Sequence, residues 1–272
     1  MSLQRQRRAP VLGVLLAAVI VTTTRATDAL PASDLPRLMA DSVNRMVDGL
    51  SNVEAQEDFT FRWKKPTVRS HLRLVRYPGS DRHLLVYRDV THFDGKPLPD
   101  REAHRNDLFQ GGRLGNASQR ALEIAIDSNA YVPAVLNPLF AIAFLQSEYQ
   151  TRFELAEKAP GRDWPGTVRA LTFRETTRPT LLRSGVGGKA NVPTRGTAWI
   201  DTATGRVLQT ELEVSDGGKR TKLTTTFGED ARLHVTVPIS MRADNPDSTA
   251  TYSNFRRFGV ETQFMYMPRE PR

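Results

Sequence analysis

The feature that most constrains the fold is a period of two in the apolar residues, which begins near residue 53 and returns over the C-terminal half. In the stretch VEAQEDFTFRW, Phe59, Phe61 and Trp63 fall on one face of an extended strand, and the polar residues between them fall on the other. The alternation predicts a mainly antiparallel β structure.

About ten strands follow from this alternation and from the turn residues between the runs. A sheet of that width does not stay flat, because strand twist accumulates and the sheet curls. Exposed loops are expected at Ser184–Lys189 and Asp244–Ser248. The predicted strands are Val53–Trp63, Val68–Tyr77, His83–Phe93, Thr167–Glu175, Thr180–Arg183, Gly196–Asp201, Arg206–Val214, Arg220–Phe227, Leu233–Met241 and Ala250–Thr262.

Three helical segments interrupt the strand pattern. An amphipathic helix is predicted from Leu35 to about Gly49, and a second from Asn116 to about Ala130. A third, Leu139–Leu145, is apolar all round and therefore needs cover on every side. The expected fold is α+β and mainly antiparallel β: a curved half-barrel sheet with an N-terminal helix and with helices inserted in the middle as a lid.

The N-terminus predicts a cleaved secretory signal over residues 1–26. Arg5, Arg7 and Arg8 form a basic head, and the apolar run Val11–Val21 is short for a membrane span. The mature chain 27–272 is expected to be a single domain with no transmembrane segment, located in the periplasm or secreted. It has no cysteine, so it has neither disulfides nor a cysteine that could carry a lipid anchor.

The high positive charge belongs partly to this signal. Removing residues 1–26 removes four arginines and no acid, so 34 basic residues face 30 acidic ones and the net charge falls from +8 to +4. The remaining excess is spread along the chain without a lysine-rich block, and nucleic-acid binding is therefore not expected.

Catalytic chemistry finds little support in the sequence. A G-x-S-x-G motif is absent, and the five histidines do not have the spacing of a helical zinc pair. Gly185–Lys189 lacks the residues of a phosphate loop. The strongest enzymatic option is a pair of carboxylates for glycoside hydrolysis, but most acids lie beside arginines, which is typical of ion pairing. We expect no catalytic residue, no metal and no cofactor; the carboxylates considered are Glu54, Glu57, Asp58, Asp100, Glu102 and Asp163.

Large apolar side chains remain as the candidate functional surface. A curved sheet with helices across its mouth can form an apolar pocket, although each residue could equally belong to a filled core. Only one of Trp199 and Ile200 can point inward, because neighbours on a strand face opposite ways. The candidate lining residues are Phe59, Phe61, Trp63, Leu72, Leu74, Phe140, Phe144 and Trp199.

The C-terminal third resembles a known family. GTAWIDTATGRVLQTELEV, followed by KLTTTF, LHVTVPISM and ATYSNFRRF, resembles the outer-membrane lipoprotein carrier and sorting (LolA-like) superfamily in the order and spacing of these strands. The match covers about Pro193–Thr262. The resemblance implies a half-barrel of antiparallel strands with helices as a lid, whose concave face holds acyl chains.

Together these observations predict an exported envelope protein that binds a hydrophobic or lipid ligand without covalent chemistry. Its expected partners are that ligand and an envelope protein that loads or unloads it. Two alternatives stay open: a structural or protein-interaction module with a filled core, and a carbohydrate-active enzyme.

Overall fold

The computed structural model describes residues 34–62, 66–76, 84–110, 127–184 and 190–259. Its helices are α1 (Leu35–Gly49), α2 (Arg101–Gln110) and α3 (Phe140–Phe144), with a 3-10 turn at Gln150–Arg152. None of the helices in this described part has the length and apolarity that crossing a membrane requires.

Thirteen strands are found in the described residues, and eleven of them form one sheet. The strands are β1 (Val53–Phe61), β2 (Thr67–Arg76), β3 (Leu84–Phe93), β4 (Lys96–Pro97), β5 (Phe153–Lys158), β6 (Val168–Glu175), β7 (Leu182–Ser184), β8 (Ala190–Val192), β9 (Thr194–Asp201), β10 (Arg206–Asp216), β11 (Lys219–Asp230), β12 (Val235–Asp244) and β13 (Asp247–Arg257).

The sheet is antiparallel throughout, in the order β4-β3-β2-β1-β13-β12-β11-β10-β9-β6-β5. Two meanders, one from each end of the chain, meet where β1 pairs with β13 along Val53↔Arg257 to Phe61↔Ser248. Strands β7 and β8 form a separate two-stranded sheet. The strand order therefore follows from hairpins, apart from the β1–β13 and β6–β9 pairs.

One face of the sheet, here called the inner face, carries the main core. Helix α1 packs on it because its apolar residues recur along one side, with Met39 and Val43 fully buried. The opposite, outer face is largely polar and charged.

The position of Phe140 shows that the sheet curls around the inner face. Its side chain lines one cavity together with Leu84 and Val86 of β3, and a second cavity together with Val214 of β10. Strands β3 and β10 are six positions apart in the sheet, about 30 Å if it were flat. A single phenylalanine reaches both only because the sheet bends back on itself.

The predicted fold class is confirmed: a wide antiparallel sheet, an N-terminal helix and a middle helix lying on the inner face. Helix α1, helix α3 and most C-terminal strands agree with their predicted bounds to within about three residues. The predicted signal, most of the helix predicted over 116–130, and Trp63 lie outside the described residues.

The structure differs from the predicted local structure in several places. The predicted loop Asp244–Ser248 is too long, because β12 runs to Asp244 and β13 starts at Asp247, which leaves a two-residue turn at Asn245 and Pro246. Of the predicted loop Ser184–Lys189, Ser184 ends strand β7 and the rest lies outside the described residues. Helix α2 and strand β5 were not predicted at all. Their sequences, REAHRNDLFQ and FELAEK, carry so much charge that the apolar periodicity is weak.

A close approach at Gly196 provides a test of the packing between β6 and β9. Gly196 is the cross-strand partner of Phe173, and a Cβ atom there would fall inside contact distance of the Phe173 ring and of the Glu211 carbonyl oxygen. We expect Gly196→Ala to lower the free energy of unfolding by about 1–3 kcal/mol in urea titrations. Gly166→Ala is the control, since a Cβ there meets no atom within 4 Å; equal effects would contradict the packing described.

Candidate ligand-binding site

Most of the predicted lining residues come together on the inner face. Phe59, Leu72 and Leu74 are at most 1% exposed, and Phe61 is also buried. The rings of Phe59 and Phe61 are 4.9 Å apart between centroids. In the conformation described, this part of the inner face is thus tightly packed.

Aromatic rings continue this surface across to the far strands. Phe140 and Phe144 of α3 are 6.3 Å apart, Phe144 and Phe153 are 6.0 Å apart, and Phe153 and Phe173 are 5.9 Å apart between ring centroids. Both predicted residues of α3 therefore lie in the main core, Phe144 buried and Phe140 half-buried.

Trp199 does not join them. Its ring stacks on Trp164 at 6.0 Å on the outer face, and its Nε1 donates a hydrogen bond to the Pro160 carbonyl oxygen at 2.9 Å. Ile200 is the residue of this pair that points inward, and it is fully buried in the main core.

The inner face is covered by residues 132–145, here called the cover segment. It runs from an irregular stretch into α3. The side chain of Asn137 accepts a hydrogen bond from the Leu139 N–H at 2.9 Å, which fixes the turn before the helix. The buried apolar residues of the cover segment are Val132, Leu136, Leu139, Ala141, Ile142, Phe144 and Leu145.

Two apolar cavities flank Phe140 beneath the cover segment. The larger, about 360 Å³, lies between the cover segment, the β7–β8 hairpin and the ends of β10 and β11. The smaller, about 120 Å³, lies between α1, β3 and α3. The larger falls within the usual range of small-molecule pockets, roughly 300–1,000 Å³.

A buried ion pair stands in the middle of this apolar face. Arg88 Nε and Nη2 donate to the two carboxylate oxygens of Glu57 at 2.5 and 2.9 Å, and Ser70 Oγ donates to the same carboxylate at 2.7 Å. Burial alone would lower the pKa of Arg88, but the charge and hydrogen bonds of Glu57 outweigh it and raise that pKa. Burial and the nearby Glu57 charge raise the pKa of Tyr252.

The same guanidinium holds the cover segment. Arg88 Nη2 donates a hydrogen bond to the Leu136 carbonyl oxygen at 3.1 Å. The backbone N–H of Arg88 donates to Ser128 Oγ at 2.9 Å, where the chain passes the edge of β3. Arg88 is therefore hydrogen-bonded both to Ser128, which precedes the cover segment, and to Leu136 within it.

A second cluster of charges lies on the outer face, around Asp127, the residue that precedes Ser128. Asp127 accepts hydrogen bonds from Tyr87 Oη and Arg101 Nη2, and its carboxylate lies 2.8 Å from His104 Nε2. Burial opposes ionisation of Asp127, but these contacts outweigh it and lower its pKa. Burial also raises the pKa of Tyr87.

Helix α2 is attached to β3 through one buried carboxylate. Asp89 is fully buried and accepts hydrogen bonds from Arg73, Arg101 and Arg105 at 3.0–3.3 Å. Among the described residues, α2 is thus attached by ion pairs on the outer face. The cover segment is held on the inner face by apolar packing and by the hydrogen bond from Arg88 to the Leu136 carbonyl oxygen.

Sequence reasoning considered Glu57 only as a catalytic acid and missed Arg88. A signal was present, because Glu57 occupies the apolar phase of β1 between Ala55 and Phe59, and Arg88 lies between Val86 and Val90. A charge in the buried phase of a strand indicates a buried partner.

Two of the acids considered for glycoside hydrolysis, Glu54 and Asp58, fit the role of a general acid poorly. The pKa of Glu54 is lowered, since hydrogen bonds and charges from Arg256 and Arg73 outweigh the opposing effect of burial. The pKa of Asp58 is lowered in the same way by Arg69 and Gln56. A general acid needs the opposite shift.

Comparison with solved structures finds two similar folds. One is a proposed outer membrane lipoprotein-sorting protein domain from Vibrio parahaemolyticus, with 15% identity and a TM-score of 0.43, covering 82% of this chain and 92% of that one. The other is a DUF1329 family protein from Desulfovibrio piger, with 14% identity and a TM-score of 0.38, covering 84% and 95%.

No protein-family model matches the chain, and no curated protein sequence does. The fold described above stands on the strand order and registers of this chain.

The ion pair gives a sharp prediction about stability. Glu57→Gln leaves the Arg88 charge buried without a counter-charge, so we expect the free energy of unfolding to fall by about 3–5 kcal/mol. Asp58→Asn is the matched neighbour, because Asp58 pairs with Arg69 in a half-exposed position and should contribute less than about 1 kcal/mol. Urea denaturation of both variants measures the difference, and similar losses would refute the buried pair.

Proposed function

We propose that the protein binds a hydrophobic or lipid ligand on the inner face of the sheet, beneath the cover segment, and carries or sequesters it without covalent chemistry. The observation that carries this proposal is the pair of cavities on either side of Phe140. They lie on an inner face that is mostly apolar and are covered by a short segment of chain.

The lining proposed for the ligand follows the sequence prediction with one replacement. Phe59, Phe61, Leu72, Leu74, Phe140 and Phe144 are kept. Ile200 takes the place of Trp199, which packs on Trp164 on the outer face. Trp63 stays a prediction.

The cover segment and the ligand would compete for one surface. Six large apolar side chains of the cover are buried there, each worth roughly 1.5–3 kcal/mol, which together make about 9–18 kcal/mol. A buried methylene contributes about 0.8 kcal/mol, so displacing the whole cover requires on the order of 10–20 methylenes. This quantity corresponds to one or two long acyl chains.

Arg88 is suited to a cover that leaves and returns. When the cover moves, the guanidinium loses its bond to Leu136 but keeps both bonds to Glu57, so neither buried charge is left unpaired. The Leu136 carbonyl oxygen gains water in exchange. Release of the ligand to a partner envelope protein would reverse this step.

The location proposed with this function is the bacterial envelope, either periplasmic or secreted. It rests on the basic head and the apolar run of residues 1–26.

The first experiment is to identify what the protein carries. The chain is expressed with its N-terminal segment in a bacterial host, purified from the periplasm without detergent and extracted with organic solvent for mass spectrometry. We expect a lipid in stoichiometric amount. An empty protein that also fails to take up Nile red would contradict the proposal and favour a filled-core interaction module.

Phe140 provides the variant that tests the position of the site. Phe140→Asp places a charge between two apolar cavities, so we expect Nile red to bind at least about tenfold more weakly. The control is Phe93→Asp, at an aromatic residue that is 38% exposed and lines neither cavity. Fluorescence titration measures both variants, and an equal loss of affinity would place the dye elsewhere.

A further inference from the structure

The larger cavity has a polar mouth that the proposed function does not yet use. Its deep wall is apolar, formed by Val135, Phe140, Leu182, Val192 and Val214. Its outer wall is formed by the β10–β11 hairpin and by strand β7, and there it carries charged and hydroxyl groups. The cavity therefore has an apolar interior and a polar opening.

The register of the β10–β11 hairpin places these charges on the ligand side of the sheet. Val214 pairs with Thr221, and Asp216 pairs with Lys219. Because side chains two residues apart share a face, Asp216 and Lys219 continue the inner face that Val214 belongs to. Both are exposed at the rim.

The polar groups of the mouth differ in whether they already have a hydrogen-bond or ion-pair partner. Asp216 accepts a hydrogen bond from Ser184 Oγ at 2.6 Å, and Thr221 Oγ1 donates to the Asn245 carbonyl oxygen at 2.7 Å. Arg183 also lines the mouth and has an interaction of its own. For the side chain of Lys219, no hydrogen bond or ion pair is found among the described residues.

Lys219 provides the mouth with a positive charge that can bind an anion. Its side chain has no partner among the described residues, and the carboxylate opposite it in the register, Asp216, already accepts the Ser184 hydroxyl. We infer that the ligand is an amphiphile with an anionic head, a carboxylate or a phosphate, which pairs with Lys219 while its chain extends along Phe140. This inference rests on the proposed function and names the class of ligand for that site.

The test compares amphiphiles that share a chain and differ only in the head. Lauric acid, dodecyl phosphate and dodecanol each compete with Nile red, a neutral probe, at low ionic strength. We expect the two anions to bind about two- to fivefold more tightly than dodecanol, as for a solvent-exposed ion pair, and the preference to shrink as salt is added. The stronger of the two anions tells whether the head is a carboxylate or a phosphate.

Two variants of Lys219 and one control variant on the outer face test whether Lys219 causes the preference for anions. Lys219→Gln should remove the preference for anions, and Lys219→Glu should transfer it to dodecylammonium. Lys222→Gln should leave it intact, because Lys222 lies on the outer face, where its Nζ is 2.9 Å from Glu211.

The outcomes separate this inference from the function on which it rests. If all three amphiphiles compete equally, or if Lys219→Gln changes nothing, the anionic head is refuted while binding in the cavity still stands. If neither Nile red nor any amphiphile binds, both are overturned.

Discussion

The antiparallel pairing of β1 with β13 is the contact on which the rest of the structure depends. It joins residues about 200 positions apart, as in the Glu54–Arg256 ion pair, and converts two separate meanders into one sheet. Without it, each meander would have an unpaired edge and half of an inner face. With it, the sheet is wide enough for twist to bend it around α1 and the cover segment.

The same pairing builds the polar centre of the inner face. Its register sets Tyr252 of β13 opposite Glu57 of β1, and β2 brings Ser70 to the other side of Glu57. Arg88 arrives from β3 and completes the cluster. A buried ion pair is weak support for stability, since an apolar replacement often does as well. Its bond to the Leu136 carbonyl offers a different reason for its presence: it fixes where the cover segment lies.

Much of the sheet could be predicted from the sequence, because period-two alternation is a local signal and the hairpins join neighbours in the chain. The β1–β13 pairing joins the two ends of the chain, and no local pattern in the sequence predicts it. Helix α2 and strand β5 escape prediction because their sequences carry so much charge that the apolar periodicity is weak. Ion pairs of Arg101 and Arg105 with Asp89 attach α2 to β3. For the site, the inward aromatic residues were found from alternation, but alternation alone does not tell which phase of β9 is inner, and Trp199 was chosen where Ile200 faces the core.

The cover segment has properties that suit a removable element. Helix α3 has five residues, far fewer than the roughly 12–15 that an isolated helix needs for even marginal stability in water, and the side chain of its N-cap residue Leu139 makes no capping bond. Its helical form is therefore maintained by packing on the inner face. Under the proposed function, a ligand that took over that surface would remove the packing and the helix together, which would give the cover a docked and a released state. The competition between cover and acyl chain would then act as a switch, because partial displacement would expose apolar side chains without the full gain of ligand burial.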